Sequence, residues 1–215
     1  MIKKNKGKLL VSSIVILLPI VFGLIVWNKL PEKMPTHWGV NGQVDGWSNR
    51  SLAVFGMPIF LLLIHWLCIL CTVADPKNKN QNNKIFGIVL WICPIISVVV
   101  GTMIYPEALG KTVKPYDVVY LMIGIFFIII GNYLPKCKQN HTIGIRVKWA
   151  LENEENWNAT HRFAGKVWVI GGILLLGCLL LPEEISVYVF LGLTIVLCIL
   201  SLGYSYYYFK RKQRS

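Results

Sequence analysis

The sequence has little charge. Only 15% of its 215 residues are Asp, Glu, Lys or Arg, and the acidic residues number just 10. A soluble domain of this length carries more charge and has fewer unbroken apolar runs. Hydrophobic residues make up 55% of the chain. The shortage of charge excludes an ordinary soluble domain and indicates a membrane protein.

The sequence also lacks the features of a secreted, disulfide-stapled protein. Its six cysteines fall mostly inside apolar runs, so no disulfide framework is implied. Cys68 and Cys71 have redox or metal spacing, but no further ligands lie nearby, and we favour simple packing of small side chains. No small-x-small cleavage site follows the first apolar run, which predicts a retained span rather than a signal peptide.

Six apolar runs predict six membrane spans. A spanning helix needs about 20 predominantly apolar residues, and the two shorter runs reach that length by including flanking residues. The fifth extends back to Phe163 across Lys166, whose side chain can snorkel. The predicted fold class is an all-α, polytopic membrane protein with six transmembrane helices. The runs are Leu9–Trp27, Leu52–Ala74, Ile85–Tyr105, Val118–Leu134, Val167–Leu181 and Ile185–Phe209.

The Lys and Arg residues are concentrated in alternate segments between the apolar runs. This distribution indicates membrane topology and not binding to nucleic acid. Of the 22 Lys and Arg residues, 17 lie in the two terminal segments and in the segments after the second and fourth runs. The positive-inside rule places these segments in the cytoplasm. We therefore expect a cytoplasmic N-terminus and C-terminus, basic side chains facing the anionic headgroups of the lipid bilayer, and no direct contact with nucleic acid.

The segment between the first two runs, Leu30–Arg50, is too patterned to be a slack connector. Asn41-Gly42 is a strong hairpin signal, and Asp45-Gly46 suggests a second turn. His37 and Asp45 are candidate ligands for a metal or another molecule, but two ligands make a weak site, so turn chemistry is preferred. The sequence predicts a structured external loop between spans 1 and 2.

His65 lies well inside the second apolar run. An ionisable side chain at that depth is a candidate functional residue. The preferred interpretation is a neutral imidazole that is hydrogen-bonded to a neighbouring helix. The alternative is a residue on the pathway of a small transporter or channel.

Two polar segments are predicted on the cytoplasmic side. Asp75–Lys84 is polar and basic, and we expect a flexible loop there. Gly131–Gly165, called the inner segment below, is the longest polar interruption of the apolar pattern.

The inner segment is predicted to contain a turn, a short extended run and a helix. Asn140 and Gly144 suit the turn, and the alternating apolar pattern of residues 143–149 indicates extended structure. Asn153 is a suitable N-cap, with two glutamates in the first helical turn. The helix is then expected to run on into the fifth span, with one face formed by Trp157, Thr160, His161 and Ala164.

The inner segment lacks the residue sets of an enzyme or a metal site. No serine lies near His161, and the one cysteine, Cys137, lies among basic residues. His141 and His161 provide too few ligands for a metal. The charged residues suit either a self-satisfied polar cap or a site for a carboxylate or phosphate. We predict no enzyme activity, no metal and no cofactor, and a membrane enzyme using His161 and Arg162 is the least favoured alternative.

Two motif sets resemble known families. The loop resembles an uncharacterised bacterial membrane domain through Leu30-Pro31, Met34-Pro35, His37-Trp38, Gly42 and Asp45-Gly46-Trp47. That domain often precedes the domain that the inner segment resembles, which is the SdpI-like family of immunity proteins from the sporulation-delaying toxin system. The second resemblance is carried by Gly131-Asn132, Lys136, Lys138, Asn140, Gly144-Ile145-Arg146, Trp149, Leu151, Trp157, Thr160-His161-Arg162 and Gly165. In many members Arg146 is followed by Thr-Pro, whereas here Val147-Lys148 follow.

The resemblance implies a multi-pass protein of the bacterial plasma membrane that protects the cell from a secreted, membrane-active peptide toxin. In the prototype it also implies recruitment of a cytoplasmic transcriptional repressor to the membrane. It suggests binding or signalling roles for Asn132, Asn140, Gly144, Arg146, Trp149, Trp157, Thr160, His161, Arg162 and Gly165. The corresponding loop positions are Pro35, His37, Gly42 and Asp45.

Three regions follow from these similarities. Residues 1–75 form a two-span region with the patterned loop, and residues 76–117 hold the third span and its connectors. Residues 118–215 form the SdpI-like region, whose cytoplasmic motif covers residues 131–166.

Overall fold

The computed structural model describes residue 2 and residues 5–213. Within these residues, six helices are long and apolar enough to cross a membrane, which confirms the predicted six-span, predominantly helical fold. The predicted cytoplasmic side of the termini rests partly on Lys3, Lys4 and Arg214, which lie outside the described residues. The orientation in the membrane stays a prediction.

The spans keep close to the predicted runs. The first span is α1 (Lys6–Ile25), and the second is a π-helical turn (Leu52–Gly56) that continues into α2 (Met57–Ala74). The remaining helices are α3 (Asn83–Ala108), α4 (Pro115–Tyr133), a short α5 (Lys148–Glu152), α6 (Glu154–Gly177) and α7 (Glu183–Gln213). Strands β1 (Lys33–Trp38) and β2 (Val44–Asn49) connect α1 to the second span.

By internal packing the chain forms two compact units. The first, called the hairpin unit, comprises Met1–Leu70 and Gly87–Val118, and the second, called the C-terminal unit, comprises Cys71–Phe86 and Val119–Ser215. This division is based on internal packing alone. It does not test the three regions proposed from the sequence, which remain a prediction.

The hairpin unit is organised around an antiparallel β-hairpin that packs on the ends of its helices. The turn predicted at Asn41-Gly42 is present, and Gly42 has the positive φ of 74° that such a turn requires. Met34 is completely buried in a cluster with residues of the second span and α3, including Val54 and Tyr105. The loop is therefore a folded element with its own hydrophobic contacts.

The second turn predicted at Asp45-Gly46 is wrong. Both residues lie within β2, where Gly46 pairs with His37. A Cβ atom at Gly46 would come within 2.8 Å of the Cβ of His37, so this glycine allows two strands to approach closely. Close approach of backbones is the other common reason for a glycine in a strand.

In the C-terminal unit, α4 and α6 cross closely along two glycine pairs. A Cβ atom at Gly165 would lie 2.8 Å from the carbonyl oxygen of Gly131, and one at Gly172 would lie 2.6 Å from that of Gly124. In each helix the two glycines are seven residues apart, which places them on one face. Small residues permit this backbone approach between membrane helices, and the close crossing fixes the start of α6 beside the end of α4.

The N-terminus of α6 agrees with the sequence prediction, whereas the extended run before it forms no strand, although Val147 has extended backbone angles. Asn153 caps the helix because its side chain accepts a hydrogen bond from the backbone N–H of Asn156. The described backbone of residues 143–147 forms no strand, and Trp149 lies in the short helix α5. The backbone groups of a strand need a partner strand, and the two strands among the described residues, β1 and β2, pair with each other.

Candidate functional site

The polar residues of the C-terminal unit meet in one structure, which we call the cap. It consists of residues 75–81, residues 137–145 and the first two turns of α6. Asn140 lies at its centre and is completely buried. Its side-chain amide donates to the carbonyl oxygens of Lys138 (2.8 Å) and Ile143 (2.9 Å). Its oxygen accepts from the backbone N–H groups of Thr142 (2.8 Å) and Ile143 (2.6 Å).

Asn140 thus replaces the backbone partners that residues 138–143 lack. A buried backbone group without a partner costs about as much as a lost hydrogen bond. One side chain satisfies two donors and two acceptors of the loop, so the loop conformation depends on this asparagine.

The loop after the second span is ordered, which makes the prediction of a flexible Asp75–Lys84 wrong. Asp75, Asn78 and Gln81 are all buried. The Asp75 carboxylate accepts from the backbone N–H of Lys77 at 3.0 Å and from that of His141 at 2.7 Å. Two N–H groups on different segments therefore share one carboxylate, which joins the loop to the inner segment.

Asn78 and Gln81 extend the same junction. The Asn78 amide donates to the carbonyl oxygen of Thr72 (2.9 Å) and to the hydroxyl of Thr142 (2.6 Å). Gln81 donates to the carbonyl oxygen of Lys138 and accepts from its N–H, both at 3.1 Å. These two hydrogen bonds resemble the pairing of backbone groups between β-strands, and they hold the loop in place without a regular sheet.

The predicted face of α6 is buried, and His161 on it has a defined tautomer. The backbone N–H of Ile145 donates to Nε2 of His161 at 3.1 Å, so Nε2 is unprotonated. Nδ1 therefore carries the proton and donates it to the carbonyl oxygen of Trp157 at 2.8 Å. Both ring nitrogens are occupied within the protein, which leaves His161 no free atom for acid–base chemistry or for a metal.

Trp157 and Gly144 complete the packing around His161. The Trp157 ring is fully buried and stacks on the imidazole with a centroid separation of 4.0 Å. Its indole N–H donates to the carbonyl oxygen of Cys137 at 2.8 Å. Gly144 has φ +109°, and a Cβ atom there would lie 2.4 Å from Nε2 of His161. Glycine is required here both by the backbone conformation and by the space.

A second polar cluster joins α6 to α7. Thr160 donates to the Asn156 side-chain oxygen at 2.9 Å and lies 2.8 Å from the Ser205 hydroxyl. The Trp149 indole N–H donates to the same hydroxyl at 2.9 Å, and the Asn156 amide donates to the backbone carbonyl oxygen of Ser205 at 3.1 Å. These bonds place the predicted residues Trp149 and Thr160 together through two residues that the sequence did not single out.

The cysteine of the cap, Cys137, is not a reactive nucleophile at neutral pH. Cys137 is buried, and burial raises the pKa of its thiol to about 11, although nearby amides of Asn140 and Gln81 oppose the shift. A thiol acts as a nucleophile only as the thiolate. Cys137 therefore packs as a small apolar residue at neutral pH.

The remaining predicted residues of the inner segment divide by exposure. Gly165 is buried in the crossing of α4 and α6, whereas Asn132, Arg146 and Arg162 are exposed. Arg146 donates to the carbonyl oxygen of His141 at 2.8 Å, so part of its guanidinium is used locally. The exposed cations lie around a cap whose interior is hydrogen-bonded within the protein, except that the buried side-chain oxygen of Asn78 has no partner among the described residues.

The loop residues lie in the hairpin. Pro35 is buried in β1, and Gly42 lies in the turn. His37 and Asp45 face each other across the strands, with 2.5 Å between Nδ1 and Oδ1 and with 72% and 54% of their side chains exposed. This pair is an exposed polar feature of the hairpin, and it is distinct from the buried contacts that hold the loop.

Arg50 anchors the base of the hairpin, a role that the sequence did not reveal. It donates to the carbonyl oxygens of Trp27 (2.9 Å) and Leu30 (3.1 Å). Its guanidinium also lies 4.7 Å from the centroid of the Trp27 ring, in cation–π range. These contacts tie the end of α1 to the start of the second span.

His65 is buried and hydrogen-bonded to another helix, as preferred from the sequence. Its Nε2 lies 3.0 Å from the hydroxyl of Ser12, which itself donates to the carbonyl oxygen of Leu9. Because a hydroxyl has a single proton, Nε2–H is the donor to Ser12. Nδ1 is buried and has no hydrogen-bond partner among the described residues.

The residues that sequence reasoning missed share a weak signal. Asp75, Asn78 and Gln81 recur every third residue directly after a span, beginning with Asp-Pro. Asp followed by Pro is typical of a capped helical turn. Asn156 and Ser205 carry no such signal, since nothing local relates residues 49 positions apart.

Comparison with known proteins gives two family matches and one similarity over the full length. Residues 136–205 match the SdpI/YfhL protein family, and residues 14–62 match the domain of unknown function DUF1648. The chain is 28% identical over 215 residues to the immunity protein SdpI of Bacillus subtilis (strain 168), covering 97% of each sequence. No solved structure gives a significant match. The first match covers most of the cap and all of the glycine-bearing part of α6, and the second covers the hairpin.

Proposed function

Since this chain is an SdpI-like protein with six membrane spans, we propose that it is a non-enzymatic immunity protein of the bacterial plasma membrane. Its ligand would be a secreted, membrane-active peptide toxin. The observation that carries this proposal is the similarity to an immunity protein over 97% of both chains, which includes the hairpin and the cap together.

The β-hairpin is the proposed place where the toxin is first met. A secreted peptide arrives from outside, and the distribution of basic residues favours an external hairpin. The hairpin is ordered by buried contacts, yet it presents His37 and Asp45 outward, together with Trp47, which is 57% exposed. An ordered surface with an aromatic anchor and polar groups suits recognition of an amphipathic peptide.

The cap is proposed to have a different role. Asn140, Trp157, Thr160 and His161 are buried with their polar atoms engaged inside the protein. They are therefore suited to hold α4, α6 and α7 in place. Any contact with a cytoplasmic partner, such as a transcriptional repressor, would fall on the exposed cations, among them Arg146 and Arg162.

A toxin challenge tests the immunity proposal. A toxin-sensitive bacterium that expresses the chain should survive exposure to the sporulation-delaying peptide or a related toxin better than the same strain with an empty vector. The matched variant is His37→Ala with Asp45→Asn, which leaves the buried hairpin contacts unchanged. We expect this variant to reach the membrane in normal amount and to protect less. Equal survival with and without the chain, across cognate and related toxins, would refute the proposal.

A flux measurement distinguishes the immunity function from the alternative, a small transporter or channel. Purified protein in proteoliposomes should leave the bilayer tight to ions and small solutes. Flux that depends on the chain and disappears in His65→Ala would favour transport instead. His65 is an ionisable residue buried in a span, and its Nδ1 has no hydrogen-bond partner in the described part of the chain.

Repressor recruitment is tested independently. A candidate repressor should co-fractionate with membranes under toxin exposure when the chain is present, and it should be released by Arg146→Glu with Arg162→Glu. If the repressor stays soluble in toxin-exposed cells that show full protection, this part of the proposal fails while immunity stands.

A further inference from the structure

An apolar groove opens on the surface of the hairpin unit between α1 and the second half of α3. Its volume is about 360 Å³. Leu18 and Phe22 of α1 and Val98 of α3 line it, and all three side chains are exposed. Because exposed apolar side chains of membrane spans face lipid, the groove opens toward the acyl chains of the bilayer.

The floor of the groove is formed where α1 and α3 approach each other. A Cβ atom at Gly101 would lie 3.3 Å from the Cβ of Pro19, so the glycine lets the helices come together. The Tyr105 hydroxyl donates to the carbonyl oxygen of Pro19 at 2.5 Å. This bond satisfies a polar group that would otherwise face the apolar space.

Apart from the Lys111 ammonium at its end, the described side chains that line the groove offer no open hydrogen-bonding group. Apart from Tyr105, its hydroxyl-bearing residue is Thr102, whose hydroxyl donates to the carbonyl oxygen of Val99 at 2.6 Å. An extended peptide would bring backbone N–H and C=O groups that need partners here. An acyl chain needs none, so the lining favours a lipid over a peptide.

One cation stands at the end of the groove. Lys111 lines it from the loop after α3 and is exposed. In the described part of the chain no carboxylate forms an ion pair with its side chain, and the nearby Glu107 carboxylate accepts from the backbone N–H of Val113 at 3.2 Å. A lysine at the end of a membrane helix lies at the depth of lipid phosphates.

We propose that this groove binds one anionic phospholipid of the leaflet on the hairpin side. One acyl chain fills the apolar groove, and the phosphate lies beside Lys111. The proposal does not depend on the immunity function, since a lipid held against α1 and α3 would be part of the folded protein in either case.

Native mass spectrometry of the full-length protein in detergent tests the proposal. Phosphatidylglycerol or, separately, phosphatidylcholine is added and the retained lipid is counted. Wild-type protein should retain one phosphatidylglycerol. Leu18→Trp and Val98→Trp, which fill the groove from its rim, should abolish retention. Val21→Trp is the matched control, because Val21 is 51% exposed on the same helix but does not line the groove, and it should behave as wild type.

Substitution of two lysines in the loop after α3 tests whether the positive charge of Lys111 contributes to lipid binding. Lys111→Gln should weaken retention of phosphatidylglycerol by about fivefold, the effect of one cation near a lipid phosphate. Retention of phosphatidylcholine should change less, and Lys114→Gln should change neither. Melting temperatures of all variants close to wild type would show that the fold is intact.

The following results would overturn the proposal. Equal retention by wild type, Leu18→Trp and Val98→Trp would place the lipid elsewhere. Equal effects of Lys111→Gln and Lys114→Gln would remove the specific phosphate contact. A groove occupied only by detergent, or by a co-purifying peptide that these tryptophans displace, would assign it a different occupant.

Discussion

The hairpin and the cap are both polar interruptions of an apolar chain, and they use their polar residues in opposite ways. In the cap, Asn140, Asn156, Thr160 and His161 are at most 1% exposed and bond to one another or to the backbone. In the hairpin, apolar Met34 is buried, while His37 and Asp45 are on the surface.

This difference shows that density of polar residues does not by itself mark a binding surface. The inner segment attracts attention in the sequence because its polar residues are many and varied. Several of them, Asn140 above all, satisfy backbone groups that irregular segments leave unpaired. The shorter hairpin has fewer polar residues, but His37 and Asp45 among them are exposed and therefore accessible to a partner. The comparison predicts large stability effects in the cap and small ones in the hairpin.

The largest effect is expected from Asn140→Leu. This change removes two donors and two acceptors from buried backbone partners and should lower the free energy of unfolding by about 3 kcal/mol. Denaturant titration of the purified protein in detergent measures it. Asn132→Leu, at an exposed position near the end of α4, is the control and should change stability little. Similar stabilities of the two variants would contradict the central role of Asn140.

The rate at which maleimide labels Cys137 measures whether the cap stays closed. With a pKa of about 11, only about one thiol in a thousand is ionised at pH 8. Burial slows reaction further, so maleimide labelling of Cys137 should be at least about 100-fold slower than that of Lys138→Cys, the exposed neighbour. The rate at Cys137 should keep rising with pH toward 11, because the raised pKa delays ionisation. Fast labelling at pH 8, before unfolding, would show an open cap.

Gly165→Ala tests the close helix crossing beneath the cap. The new Cβ would lie 2.8 Å from the carbonyl oxygen of Gly131 and 2.7 Å from Cγ of Pro135, so the helices must separate, at a cost of about 2 kcal/mol. Gly192→Ala in α7 is the matched control, since nothing lies within 4 Å of its added Cβ. Thermal unfolding should show a lower melting temperature for the first and an unchanged or higher one for the second.

The smallest stability effect is expected in the hairpin. His37 and Asp45 are largely exposed, and an exposed side-chain pair of this kind contributes at most about 1 kcal/mol. Asp45→Asn should therefore leave the melting temperature nearly unchanged while reducing protection in the toxin challenge. A stability loss as large as that of Asn140→Leu would break the contrast between the two regions.

Several features were predictable because they depend on local sequence. The length of each apolar run decides whether a helix can span the bilayer, and all six runs became spanning helices. Asn153 at the start of α6 and Gly42 in the hairpin turn follow from the conformations that these residue types favour. The Asp45-Gly46 turn failed because glycine serves close approach as readily as it serves turns.

Other features required the folded chain. The order of the Asp75–Gln81 loop arises from bonds to residues about 60 positions away, such as Gln81 to Lys138. The joining of Asn156 to Ser205 and the pairing of Gly131 with Gly165 likewise depend on which helices lie side by side. The groove beside Lys111 exists only because α1 and α3 meet at Gly101.

The sequence by itself determined that this is a membrane protein, how many spans it has, where the hairpin turns and which family it resembles. These properties follow from hydrophobicity, from the conformational preferences of single residues and from motif spacing. Only the tertiary structure decided which polar residues are buried and which are available. The reason is physical: a buried polar side chain needs a partner, and in this protein the partner usually comes from a distant part of the chain.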